Sequence, residues 1–434
     1  MNRKWLKEER RNLFLFLFAR HGRIFQKGTM RRAMGQRGNT AKKNHILKIC
    51  IVFTEILLAG AFVVVLGIYL FQNTSFLGQR EKSPDLETKQ LQWEPVQQGP
   101  IQPEPEVQSS PAPEETQQEV TLLFAGDTLL DDNYSPMVSL KQRPGGVKDC
   151  FSEDLLAEMT GADIFMLNNE FTFTDRGEQL PDKSYTFRAS TENVKYLLEM
   201  GVDLVSLANN HTFDWGEISL LDTLDTLEAA GIPKVGAGRN LKEASAPVFF
   251  DIGKLRIGFL AATQIERMAN PPTRGAKEEV SGVFRCMDPT ALYEAVRETK
   301  EQCDFLVVFV HWGTEKMEQP DRFQLEQGPG LAEAGADLVI GAHPHVLQGL
   351  DSIGGVPVIY SLGNFWFNSF TQDSCVVKVT LNEEGLKSLQ FLPALQKGCY
   401  TSLLHDEEKQ RVLDYVRSLS PHVEIDADGF VTFF

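Results

Sequence analysis

Sulfur is thinly used in this chain. Its six cysteines (Cys50, Cys150, Cys286, Cys303, Cys375 and Cys399) stand singly, with no C-x-x-C spacing and no dense framework. That excludes a thiolate metal site and a disulfide-stapled scaffold as organising features, while one isolated disulfide stays open. Positive charge is scarce after the first 45 residues. Those carry 13 Lys and Arg against 2 Asp and Glu, a net of +11, so an overall charge of −16 leaves −27 for the remainder. An acidic body of that size is repelled by phosphate backbones, which argues against nucleic acid as a partner.

Long apolar runs are rarer still. Residues 49–71 (ICIVFTEILLAGAFVVVLGIYLF) form one of 23 residues with a single charge, Glu55. About 20 apolar residues cross the hydrocarbon core of a membrane. The run is longer than the apolar region of a cleaved signal peptide, so a retained single-pass anchor is expected. Arg37, Lys42, Lys43 and Lys48 crowd its N-terminal side. They predict a basic cytoplasmic tail over residues 1–48 and an extracytoplasmic position for everything after the anchor. Glu55 either pairs with a membrane partner or sits shallow enough to reach the interface. Residues 72–118, rich in Pro, Gln and Glu, cannot bury a core and read as a disordered stalk.

What is there, over residues 119–434, is alternation. Buried-type strands are expected at Val120 to Asp127, Asp163 to Glu170, Val202 to His211, Asp304 to Gly313, Asp337 to Ile340, Val356 to Phe365 and Cys375 to Leu381. Helices are expected at Phe151 to Met159, Thr191 to Met200 with Ser190 as cap, Glu217 to Ala230 before Gly231, Pro289 to Gln302, Phe323 to Ala334 and His405 to Leu419. Pro247 to Thr263 reads as a hairpin turning at Gly253-Lys254, and Ile265 to Gly282 as a loop able to cover a site. With no internal repeat, the pattern implies an α/β fold with buried sheets.

Five apolar runs end in residues able to bind a cation: Asp127, Glu170, Asn210-His211, His311 and His343/His345. Four of the chain's eight histidines fall in this set. Each residue alone has a plainer reading as a turn, cap or satisfied core group, and their recurrence at successive strand ends is what weighs. The two histidines of GAHPH, one residue apart at a strand end, are expected to project together through the period-two alternation of extended backbone. Ligands gather outside the carboxyl ends of strands in α/β sheets. Oxygen and imidazole donors together suit Mn, Zn or Fe, as one ion or two.

In that order, GDTLL, NNE, SLANNHTFDWG, VFVHWG, GAHPHVLQG and YSLGNF resemble the CapA-type poly-γ-glutamate capsule synthesis proteins, over Val120 to Leu381. The resemblance implies the calcineurin-like metallophosphatase fold, two β-sheets sandwiched between helices. It also implies an anchored, outward-facing protein that works with the membrane subunits of a polymer synthase on an anionic poly-γ-glutamate polymer. Carried over residue by residue, it makes Asp127 the first metal-binding acid and Glu170 the bridging carboxylate. Asn210, His311, His343 and His345 become further metal ligands, and His211 the general acid beside the leaving group. Asp214 is expected to orient His211. Arg188 is either a holder of substrate carboxylate or phosphate, or a surface strand arginine.

One departure stands out. Leu129 occupies a position where active metallophosphatases carry a metal-binding histidine. A single-ion site, a weak first ion and a site kept for structure all follow from it. Three functions are therefore carried forward: a metal-dependent hydrolase-type member of capsule synthesis and export, a non-catalytic scaffold of the synthase, and an extracytoplasmic phosphoesterase unrelated to capsule.

Overall fold

The computed structural model describes residues 118–265 and 274–434. The expected tail, anchor and stalk lie outside the described residues, as do residues 266–273 of the loop begun at Ile265. Among the described residues no helix is long and apolar enough to cross a membrane.

Two mixed sheets make the frame. The larger has eight strands. From edge to edge it runs Tyr400–Leu403, Gly385–Lys397, Gln372–Asn382, Val120–Thr128, Ile164–Asn169, Leu204–Ser206 and Lys234–Val235, with Asn364–Trp366 pairing onto the end of Val120–Thr128. The second has six, in the order Leu350–Ile353, Val356–Ile359, Leu338–Ala342, Phe305–His311, Leu255–Thr263 and Val248–Ile252. The central pairs of both sheets are parallel. Their carboxyl ends therefore collect on one side of each sheet, where a site is expected.

Alternation along the strands builds three apolar layers. Leu122, Phe124 and Met166 of the first sheet meet Phe259, Phe309 and Ile340 of the second in the central layer. Leu123, Ala125 and Phe165 face outward, under the helices Glu153–Gly161 and Glu217–Ala230. Leu306, Val308 and Val339 face outward from the second sheet, under Thr290–Lys300 and Arg322–Ala334. This is the α/β arrangement of two sheets flanked by helices. The helix Asp406–Leu419 departs from that scheme: its Val412, Leu413 and Val416 enter the central layer.

Four local expectations are corrected. The strand expected over Val202 to His211 spans only Leu204–Ser206. Asn209 Oδ1 accepts from the backbone N of His211 at 3.0 Å, and Thr212 Oγ1 donates to the Leu207 carbonyl at 2.7 Å. These local bonds compete with the ladder and turn the chain. Val356 to Phe365 is not one strand. Val356–Ile359 belongs to the second sheet, while Asn364–Trp366 belongs to the first. Gly363, at φ 65°, makes the crossing, and its carbonyl accepts from Asp127 N at 3.0 Å. Gly126 permits that approach, because a Cβ there would stand 1.9 Å from the same oxygen.

Ser190 makes no side-chain cap, and a 3-10 turn at Thr191–Asn193 precedes the helix Val194–Glu199. His343 and His345 are not extended either; they take φ 100° and 59°. Strands at Gly385–Lys397 and Tyr400–Leu403 were not anticipated.

Candidate metal centre

The centre lies where the two sheets' strand ends face one another. Val120–Thr128 delivers Asp127, and the residue after Ile164–Asn169 is Glu170. Phe305–His311 ends on His311, and the chain leaving Leu338–Ala342 supplies His343 and His345. Asp127, Glu170 and His311 are fully buried, and His343 and His211 nearly so.

These residues fall into two groups that share Glu170. Glu170, His311 and His343 form one, and Asp127, Glu170 and His345 the other, with donor atoms in each within 4.8 Å of one another. His343 Nδ1 lies 3.1 Å from His311 Nε2, which also lies 2.8 Å from Asn210 Oδ1. His311 Nε2, His345 Nε2 and His211 Nε2 stand 3.6, 3.8 and 3.8 Å from Glu170 Oε1. Both oxygens of Glu170 are buried without a hydrogen-bond partner, and so is Asp127 Oδ2. A buried carboxylate left unpaired is costly. Three converging imidazoles and three orphaned carboxylate oxygens together fit a divalent cation, the donor set of Mn, Zn or Fe.

The electrostatics agree with that fit. Burial and the neighbouring Asp127 push Glu170 well above the usual carboxylate range. Burial also drives Asp127 upward, but His345 and Asn168 beside it outweigh this and hold it below its ordinary value. Burial and the adjacent imidazoles hold His311 well below its usual value, and burial with His345 brings His343 down to about 3. His345 is the exception: burial lowers it, yet Asp127 more than compensates and leaves it raised. Neutral imidazole is the metal-binding form, so His311 and His343 are ready as they stand.

His211 is held from three sides. Its Nδ1 lies 2.6 Å from Asp214 Oδ2, its ring packs on Phe187 at a tilt of 32° with centroids 4.3 Å apart, and Lys183 Nζ lies 3.3 Å from Nδ1. Lys183 also donates to the Asn210 carbonyl at 2.6 Å and pairs with Asp214 Oδ1. Asp214 Oδ2 further accepts from Phe187 N at 2.7 Å. With Nδ1 occupied by Asp214, Nε2 is the atom facing Glu170. Burial holds His211 below its ordinary value despite Asp214.

The remaining expected residues are placed as follows. Asn210 joins the His311 group. Arg188 sits on the short strand Arg188–Ala189 with its guanidinium carbon 3.7 Å above the Trp215 ring centroid, and no ion pair engages it among the described residues. It reaches the centre only indirectly, as the neighbour of Phe187, while Trp215 is the neighbour of Asp214. Leu129 is fully buried in the outer apolar layer, its backbone N donating to the Trp366 carbonyl at 3.0 Å. The Asp127 group therefore holds one imidazole.

Sequence reasoning missed Asn168, Lys183, Phe187, Asn364 and Gln372. Asn168 Nδ2 reaches Asp127 Oδ1 at 2.7 Å and His311 Nδ1 at 3.2 Å, linking the two groups. Asn168 and Asn364 lie inside recognised motifs, so adjacency to a ligand was their available signal. Lys183 is a lone lysine in a polar loop and carried none.

The capsule biosynthesis protein CapA of Bacillus anthracis is 31% identical over 242 residues, covering 54% of this chain and 58% of that protein. The PGA biosynthesis protein CapA of Bacillus subtilis is 31% identical over 260 residues, covering 58% of this chain and 67% of that protein. Among solved structures, a phosphatase from Mycoplasma pneumoniae aligns with a TM-score of 0.40 at 14% identity, over 65% of this chain and 96% of that one. Residues 121–369, more than half of the sequence, match the family model for the bacterial capsule synthesis protein PGA_cap, and the chain belongs to that family.

Proposed function

We propose that this chain is a membrane-anchored, outward-facing protein of poly-γ-glutamate capsule synthesis and export, carrying a metal-dependent hydrolase-type site on a calcineurin-like metallophosphatase fold. The observation that carries the reading is Glu170, whose two buried, unpartnered oxygens are flanked by two ligand groups. Glu170, Asn210, His311 and His343 would hold one ion; Asp127, Glu170 and His345 would hold a second. A bound Mn, Zn or Fe ion supplies Lewis-acid polarisation and a nucleophile from water at neutral pH.

The chain's own groups supply the rest. Asp214 keeps a proton on His211 Nδ1, so protonated His211 has Nε2–H aimed into the site to meet a leaving group. Phe187 and Lys183 restrict that ring to one orientation. Arg188, stacked on Trp215, keeps its N–H edges available for a substrate carboxylate, the group a poly-γ-glutamate strand repeats. The body is acidic, so a polyanion needs such local positive charge to approach. Membrane subunits of the polymer synthase are the proposed partners. Residues 49–71 are the proposed anchor, with the N-terminus cytoplasmic and residues 72–118 the stalk. The names of the Bacillus relatives support the capsule assignment.

Leu129 favours a second reading, a non-catalytic scaffold of the synthase, because an apolar residue stands where a ligand would complete the Asp127 group. Metal analysis with hydrolysis assays on model phosphoesters and poly-γ-glutamate separates the two. Under the catalytic reading His211→Ala loses turnover by about 10²–10⁴-fold with metal content near that of the parent. Equal turnover in the variant hands the site to the scaffold reading.

A further inference from the structure

His345 is the only imidazole of the Asp127 group, so that group depends on how this one ring is held. Its backbone is left-handed, at φ 59°, a conformation that is strained for a non-glycine residue and persists only where its surroundings impose it. Two residues close a ring with it. Gln372 Nε2 donates to the His345 carbonyl. Gln372 Oε1 accepts from Asn364 Nδ2 at 3.2 Å, and Asn364 Oδ1 lies 2.9 Å from His345 Nδ1.

The direction of every bond in this ring follows from its first member. A carbonyl oxygen only accepts, so Gln372 must present nitrogen to it and oxygen to Asn364. Asn364 must then answer with its nitrogen, which turns its oxygen toward His345. That oxygen also only accepts, so the proton belongs on His345 Nδ1, and the lone pair belongs on Nε2, 3.8 Å from Glu170 Oε1. Asp127 Oδ2 lies 3.0 Å from the same Nδ1 yet has no hydrogen bond of acceptable geometry. Asn364, by accepting the Nδ1–H hydrogen bond, leaves that carboxylate oxygen available.

We propose that Asn364 and Gln372 are positioning residues that fix the backbone and the Nδ1–H tautomer of His345, making its Nε2 the donor to a cation shared with Asp127 and Glu170. The YSLGNF segment crosses between the sheets. The crossing sets Asn364 in register with Asp127, and Gln372 opens the strand Gln372–Asn382 beside the same carboxylate's strand. Outer partners of metal-binding histidines act in this way, orienting the ring and setting which nitrogen is free. The purpose of the ring rests on the metal reading above; its hydrogen-bond directions do not.

The test uses the full-length chain with ¹⁵N-labelled histidine, metal-free and above the pH at which His345 titrates, followed by zinc titration against a competing chelator. The ¹⁵N shifts of His345 are expected to report protonated Nδ1 in the parent. Asn364→Asp, which keeps an oxygen facing Nδ1 but no longer donates to Gln372, is expected to retain it. Asn364→Leu and Gln372→Ala are expected to lose it. Zinc affinity at the His345 group is expected to fall about 10–100-fold in the last two and to fall less in Asn364→Asp, which keeps only the acceptor to Nδ1. A proton on Nε2 in the parent, or an unchanged tautomer in both Asn364→Leu and Gln372→Ala, overturns the proposal. Failure of the parent to take up zinc while the tautomer results hold removes the metal reading and leaves the ring standing. Gln372→Ala, a change at a strand start, keeps the test open should Asn364→Leu not fold.

Discussion

The two halves of the centre share Glu170 and differ in almost everything else. The His311 half has two imidazoles already neutral, plus the Asn210 amide, in a pocket where burial and the neighbouring imidazoles disfavour protonation. The Asp127 half has one imidazole, raised rather than lowered by the carboxylate beside it. One side is prepared by desolvation and the other by charge and a hydrogen-bonded ring. Completeness of the ligand set thus depends on how many donors a half can lose before it fails.

The change with the largest expected effect is Glu170→Gln, which removes the carboxylate common to both halves. Elemental analysis should find neither ion retained, and the shift in melting temperature on adding Mn should vanish. Unequal loss comes next. His345→Ala leaves the Asp127 half two carboxylates, whereas His343→Ala leaves the other half Glu170, Asn210 and His311. Titration with Mn followed by EPR should show a greater loss of affinity for His345→Ala; equal losses would end the proposed asymmetry.

Acidification should weaken metal uptake in a way that reports the shared carboxylate. Glu170 is held well above its ordinary value without metal, so uptake releases its proton, and a raised His345 adds to the same release. Affinity should fall about tenfold per pH unit for each proton released. Calorimetry in buffers of different ionisation enthalpy counts those protons, and a count of zero would contradict the assigned shifts. The smallest effect is expected from Leu129→His. It should strengthen the Asp127 half while costing about 1–3 kcal/mol of fold stability, because position 129 belongs to the outer apolar layer. Chemical denaturation measures the cost, and Mn titration the gain.

Long periodic segments were legible in advance. The strand at Val120–Thr128, the helix at Glu217–Ala230 ended by Gly231 at φ 71°, and the hairpin through Gly253 all follow from local pattern and turn chemistry. The segments that hold the site were not. Asn209 and Thr212 break the expected strand with side-chain bonds to the backbone, and Gly363 splits another between two sheets. GAHPH was expected to converge its histidines by extended alternation. They meet instead through two left-handed residues, a conformation no period predicts.

The amino-acid sequence by itself determined which side chains are available at the ends of buried runs, and that nearly all of them are oxygen or imidazole donors. Covalent order and hydrophobic alternation are enough for that. Only the tertiary structure decided that Glu170 is shared, that Asn364 returns from the other sheet to meet His345, and that Lys183 closes on His211. Those contacts join residues far apart in the chain, so their geometry is set by how the sheets pack.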